Sequence, residues 1–111
     1  MADEHIDIAW RPSETLRRES RMQAFFDRVG VADRAGLNER ADADPAWFWD
    51  EVINFLDVRF YEPYDSVLDT SKGAAWPVWC AGGKTNVVLN CIDRHRETPV
   101  WDKVWIVWSP Y

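Results

Sequence analysis

The run Val104-Trp105-Ile106-Val107-Trp108 constrains this chain more than any other stretch, because it is apolar on both sides. As a strand it turns Val104, Ile106 and Trp108 to one face and Trp105 and Val107 to the other. A strand of that kind belongs inside a sheet covered on both faces, yet no other stretch offers a comparable partner. The chain stops three residues later. The expectation is an architecture that something else completes. Eight tryptophans among 111 residues, with Trp76, Trp79 and Trp101 beside the two in this run, add to the apolar load. Some should face a missing partner; the bland alternative is that all of them pack internally or sit half-exposed.

Hydrophobic residues make up 47% and charged residues 29%, which suits a chain that buries a core and excludes a disordered tail. The formal charge of −6 and the lack of a basic block argue against a nucleic-acid partner. The apolar run is five residues long, whereas a membrane helix needs roughly 20. No membrane partner is expected. The start, Met1-Ala2-Asp3-Glu4-His5, is acidic and leads into no apolar segment of the secretory kind, so a cytoplasmic location is expected. Cys80 and Cys91 are too few for a disulfide scaffold and read as reduced thiols.

One domain over residues 1–111 is expected, α+β in class, with a helical N-terminal half, a loop-rich middle, one short helix and a terminal strand. An extended lead-in occupies 1–12. Helices fill 13–58: one over 14–29, capped by Ser13 and stopped by Gly30, with Leu16, Met22, Phe25, Phe26 and Val29 on one stripe. A short helix follows from Asp33 to about Ala41. Asp44-Pro45 then opens a helix over 45–58, whose stripe is Phe48, Val52, Phe55, Leu56 and Arg59. Residues 59–85 read as loop-rich, with Ser66-Val67-Leu68-Asp69 as a short extended piece. Asn86 caps a helix over 86–97, and the strand lies at 101–108.

Gly82-Gly83-Lys84-Thr85 looks like the tail of a phosphate-binding loop, but the full pattern needs a glycine where Val78 stands, so a glycine turn is the favoured reading. Cys91 and His95 are four apart and Cys80 could join them on a zinc ion, yet no paired-ligand spacing supports this. Cys91 with His95 as nucleophile and base lacks an orienting third group. Asp42, Asp44, Asp50, Glu51 and Asp57 read as caps and exterior charges rather than as an acid and base pair. Trp47-Phe48-Trp49 could stack on a sugar or a base, but its helical spacing favours core packing. No catalytic, cofactor-binding or metal residue is assigned.

Taken in order, Trp10-Arg11-Pro12-Ser13, Asp44-Pro45-Ala46-Trp47-Phe48-Trp49, Pro63-Tyr64-Asp65-Ser66-Val67-Leu68-Asp69, Trp79-Cys80-Ala81-Gly82-Gly83-Lys84-Thr85-Asn86, Asn90-Cys91-Ile92-Asp93-Arg94-His95 and Asp102-Lys103-Val104-Trp105-Ile106-Val107-Trp108 resemble the N-terminal segment of AMP-forming acetyl-CoA synthetases. The resemblance covers nearly the whole chain. It departs at Trp105, where such chains tend to carry a small residue, and at Ser109-Pro110-Tyr111, which replaces an acidic, glycine-containing turn. It implies a parent enzyme that activates a short carboxylic acid with ATP and magnesium and passes the acyl group to coenzyme A. The family's phosphate loop, adenine contacts, coenzyme A arginines and catalytic lysine lie downstream of this segment, so none is carried over. Thr70-Ser71-Lys72-Gly73 lacks the glycines and threonines of that phosphate loop. The implied role is a structural segment on the ATP-binding lobe, and the implied partner is that lobe or, through the Trp-rich strand, a second copy. A stand-alone Trp-rich interaction or regulatory module is the alternative. The parent reads as the acetyl and propionyl branch, with an acetoacetyl-CoA synthetase as the other candidate.

Overall fold

The computed structural model describes residues 9–110, so residues 1–8 of the expected lead-in and the terminal Tyr111 lie outside it. It is α-rich with one small antiparallel sheet, an α+β arrangement. The chain is described as two compact units, Met1–Ala43 and Asp44–Tyr111.

In the first unit the helix expected over 14–29 is two: α1, Glu14–Arg18, and α2, Arg21–Val29. Ser20 makes the break. Its hydroxyl donates to the Arg17 carbonyl at 2.7 Å and accepts the Gln23 amide at 3.1 Å, so one side chain closes α1 and caps α2. Ser13 caps α1, and Gly30, at φ 72°, ends α2 in the left-handed conformation. Phe25, Phe26 and Val29 are buried, whereas Leu16 and Met22, expected on the same stripe, are more than half exposed. α3, Arg34–Ala43, adds Leu37 to that core, and the Arg40 guanidinium donates to the Val29 carbonyl at 3.0 Å.

The second unit opens with α4, Pro45–Phe55, three residues shorter than expected. Asp44 caps its start by accepting the Trp47 amide at 3.0 Å. Its end is a left-handed cap: Asp57 sits at φ 52°, with Val58 N–H on the Ile53 carbonyl at 3.0 Å and Asp57 N–H on that of Asn54 at 3.2 Å. Leu56 and Arg59, expected on the buried stripe, are therefore past the helix and exposed.

Residues 59–85 contain more than loops. β1, Ser66–Asp69, pairs antiparallel with β2, Val78–Ala81, matching Ser66 with Ala81 and Leu68 with Trp79. Below the hairpin, a bridge joins Glu62 to Lys84. Val67, in β1, is the buried apolar side chain of this unit among the described residues.

The helix expected over 86–97 divides into α5, Val87–Cys91, and a single 3-10 turn, Asp93–His95, parted at Ile92. The strand expected over 101–108 is not present. Three successive turns carry the chain from His95 to Lys103, and residues 104–110 belong to no helix or strand. A strand exists only through a ladder to a neighbour, and no described residue supplies that ladder.

Candidate functional site

Gly82-Gly83-Lys84-Thr85 is a packed turn. A Cβ on Gly82, at φ 79°, would lie 2.8 Å from Asp65 Oδ2; one on Gly83 would lie 3.0 Å from both the Cys80 carbonyl and Tyr64 Cβ. Glycine is favoured at 82 by the left-handed backbone and at 83 by close approach. Its hydrogen-bonding groups are also committed: Gly83 N–H donates to the Cys80 carbonyl at 2.9 Å and Lys84 N–H to that of Glu62 at 2.9 Å. Lys84 Nζ pairs with Glu62 Oε1 at 2.7 Å, and the Thr85 hydroxyl donates to the Arg59 carbonyl at 2.6 Å. A phosphate cradle needs those amides and that lysine aimed at one point. Thr70-Ser71-Lys72-Gly73 is the turn between β1 and β2; Ser71 N–H donates to Asp69 Oδ1 at 2.9 Å and holds that carboxyl below its usual range.

The Asn90-Cys91-Ile92-Asp93-Arg94-His95 stretch has a role that spacing does not announce. Asn90 Oδ1 accepts the Arg59 amide at 2.7 Å, while its Nδ2 donates to the Arg59 carbonyl at 3.0 Å and to Thr85 Oγ1 at 2.9 Å. The side-chain amide thus mimics a neighbouring strand for one residue of backbone. One helical turn on, the Arg94 guanidinium donates to the Asp57 carbonyl at 3.1 Å and the Asp57 carboxylate at 2.7 Å. That pair completes the cap of α4, since a cation near a helix C-terminus satisfies carbonyls that have no helical partner. Asn90 and Arg94 together clamp the segment leaving α4.

Cys91 and His95 lie on separate helical turns, not on the face of one helix. Both line a cleft of about 270 Å³ with Trp101, Val104 and Trp105. Cys80 belongs to β2 instead, where burial first and the Asp50 charge second push its thiol pKa up, the opposite of an activated nucleophile. Among the described residues, no group of three or more His, Cys, Asp or Glu could hold a metal ion.

The carboxylates are structural where they have partners. Asp44 caps α4, Asp57 meets Arg94, and Asp50 accepts the Tyr64 hydroxyl at 2.6 Å. That hydrogen bond, reinforced by burial and by the Asp50 charge, pushes Tyr64 up to about 12. Trp49 stands edge-on to Phe48 at 5.2 Å and to Trp79 at 5.8 Å, so within the Trp47-Phe48-Trp49 cluster it is Trp49 that meets β2.

The last part of the second unit is turned to water, as Trp76 and Val87 are elsewhere in it. Trp105 is 70% exposed, Val107 88% and Trp108 79%, with Val104 and Ile106 similar. No backbone hydrogen bond ties residues 104–108 to another described residue. Trp101 is steadier, its ring lying 5.6 Å from the Arg96 guanidinium. No helix among the described residues is long and apolar enough to cross a membrane.

Comparison with known proteins bears on the same residues. The family described as the acetyl-coenzyme A synthetase N-terminus matches residues 35–91, which include the Asp44 cap, the glycine turn and Asn90. The acetyl-coenzyme A synthetase of Mycobacterium tuberculosis is 41% identical over 76 residues, 68% of this chain and 11% of that protein. The acetyl-coenzyme A synthetase of Rhizobium rhizogenes is 45% identical over 68 residues, 60% of this chain and 10% of its own length. That of Deinococcus radiodurans is 29% identical over 107 residues, 96% of this chain and 16% of its own length. The chain thus spans between a tenth and a sixth of these relatives. No solved structure matches it significantly. With half of its residues inside one family pattern, and Asn90, the Asp44 cap and the glycine turn of the second unit among them, this chain belongs to the acetyl-coenzyme A synthetase N-terminus family.

Proposed function

We propose that the chain is the N-terminal part of an AMP-forming short-chain acyl-CoA synthetase and serves as a structural segment that packs on the ATP-binding lobe. In that reaction a carboxylate oxygen attacks the α-phosphorus of ATP, pyrophosphate leaves, and the thiol of coenzyme A then displaces AMP from the acyl-adenylate. ATP, magnesium and coenzyme A are handled by the lobe. This chain contributes surface rather than chemistry.

One observation carries the reading: the apolar run 104–108 is exposed and unpaired, while the polar groups that could have made a site are spent on holding the fold. Lys84 is paired with Glu62, and Asn90 and Arg94 grip the chain after α4. Catalysis of phosphoryl chemistry requires donors aimed at developing charge, and donors already bonded within a turn are not so aimed.

The test is complementation. The Mycobacterium tuberculosis acetyl-coenzyme A synthetase, deprived of the segment that this chain matches, is mixed with the chain, and co-elution and acetate-dependent pyrophosphate release are measured. Co-elution with recovered turnover is expected. A folded chain that neither binds the lobe nor raises its turnover overturns the reading in favour of a stand-alone interaction module.

A further inference from the structure

We propose that the cleft between α1 and α2 binds a free medium-chain carboxylate, with the alkyl chain on Leu16, Met22 and Phe26 and the carboxylate on the Arg34 guanidinium. This site lies wholly in the first unit and does not depend on the synthetase reading. The cleft measures about 470 Å³, within the roughly 300–1,000 Å³ of small-molecule sites. Its apolar lining is unfinished core. Phe26 is buried, whereas Leu16 and Met22 are 54% and 55% exposed, although their spacing puts them on the stripe of Phe25, Phe26 and Val29. Apolar side chains lining a concavity give up their water when an apolar body fills it, and that release favours binding.

The rim selects the head group. Ser20 is bonded to the Arg17 carbonyl and the Gln23 amide, and Gln23 Nε2 donates to Asp27 Oδ1 at 2.9 Å. Asp33 accepts the Gly36 amide at 2.9 Å at the start of α3, where the helix amides offset its charge. Arg17 is held by Glu14 at 2.7 Å, but both side chains are 65% exposed, and such a pair contributes little. The Arg34 guanidinium has neither an ion pair nor a hydrogen bond among the described residues. Its planar fork of donors matches the two oxygens of a carboxylate. The rim thus sets Arg17 and Arg34 against the committed Asp33, and an apolar body with a single negative head complements it.

Other occupants fit less well. A helix about 10 Å across would lodge only about one turn in this volume, too few residues for the i, i+3, i+4, i+7 anchors of a docked helix. An anionic membrane presents similar head groups, but its surface repels a chain with a net charge of −6.

Titration of the full chain with decanoate, below the concentration at which it forms micelles and followed by NMR, tests the site. Saturable binding is expected, with the largest shifts at Leu16, Met22 and Arg34. Each methylene removed, from decanoate toward hexanoate, should weaken binding about two- to fourfold. Decanol keeps the chain and lacks the charge, and should bind at least about fivefold more weakly than decanoate. Arg34→Gln should erase that difference while leaving decanol binding unchanged. Met22→Glu should abolish binding of both, with an unchanged helical circular dichroism signal. No saturable binding, decanol binding as tightly as decanoate, a preference that survives Arg34→Gln, or shifts centred on Trp101 rather than on α1 and α2 overturns the assignment. Attachment to phosphatidylglycerol vesicles without binding of free decanoate does the same. The assay contains no synthetase lobe, so its failure is separate from failure of complementation.

Discussion

Tyr64 and Asp50 show how one hydrogen bond writes itself into the stability curve. The phenol donates to the carboxylate at 2.6 Å, and its pKa stands at about 12 in the fold, against the usual tyrosine value near 10. Between those values the unfolded chain has already lost the proton that the folded chain keeps, so this contribution is complete below pH 10 and falls away as the pH climbs to 12. Tyr64→Phe should cost about 1 kcal/mol at neutral pH, at the low end for a bond to a charged acceptor because both groups are half exposed. Urea titration at pH 7 and pH 11 checks this: the gap between the two proteins should narrow at the higher pH, and a gap that widens contradicts the assignment. At this scale, what sequence reveals is what lies close along the chain. Ser13, Asp44 and Asn86 announce their caps because the amides they accept are three residues away. Ser20 does so too, with Gln23 in the position of a capping box, and that signal is overridden when Leu16 and Met22 are read as a continuous stripe. Tyr64 and Asp50 are fourteen residues apart, and no local pattern joins them.

Between elements, the clamp on the end of α4 governs how the second unit holds together. Asn90→Asp keeps the acceptor for the Arg59 amide but loses the donors to the Arg59 carbonyl, Thr85 Oγ1 and the Asn86 carbonyl, and turns a carboxylate oxygen toward them. Leaving such partners unsatisfied costs about 1–3 kcal/mol. Thermal unfolding followed by circular dichroism should therefore show a clear loss of stability, whereas Asn38→Asp, at an exposed position of α3, should leave it nearly unchanged. Equal effects would remove the clamp from consideration. The same clamp marks where sequence reasoning stops. Helices α2 and α4 are legible from apolar spacing between a cap and a breaker, and β1 from its flanking turns. β2 hides because Pro77 precedes it and Cys80 takes φ 48° within it, so neither alternation nor propensity stands out. The Asn90 to His95 stretch is noticed by resemblance, yet its grip on Arg59 acts across 31 residues and is visible only in the fold.

At the scale of the whole molecule, the described residues leave the apolar run 104–108 open to water and tie the Gly83 and Lys84 amides to carbonyls of the fold. Calorimetric titration with ATP and magnesium should give no saturable heat, because the Gly83 and Lys84 amides are bonded to the Cys80 and Glu62 carbonyls and the lysine ammonium to the Glu62 carboxylate. Saturable binding in the micromolar range would mean that the turn opens. The terminal strand is legible in sequence as a demand rather than an element: two apolar faces call for neighbours, and without them the run stays irregular. Seven of the eight tryptophans stand exposed, Trp47 being the exception. An indole in water emits toward the red because solvent dipoles relax around its excited state, and an indole taken out of water emits toward the blue. The chain therefore carries a built-in optical reporter, and whatever covers Trp105 and Trp108 will announce itself by a change of colour without any added label.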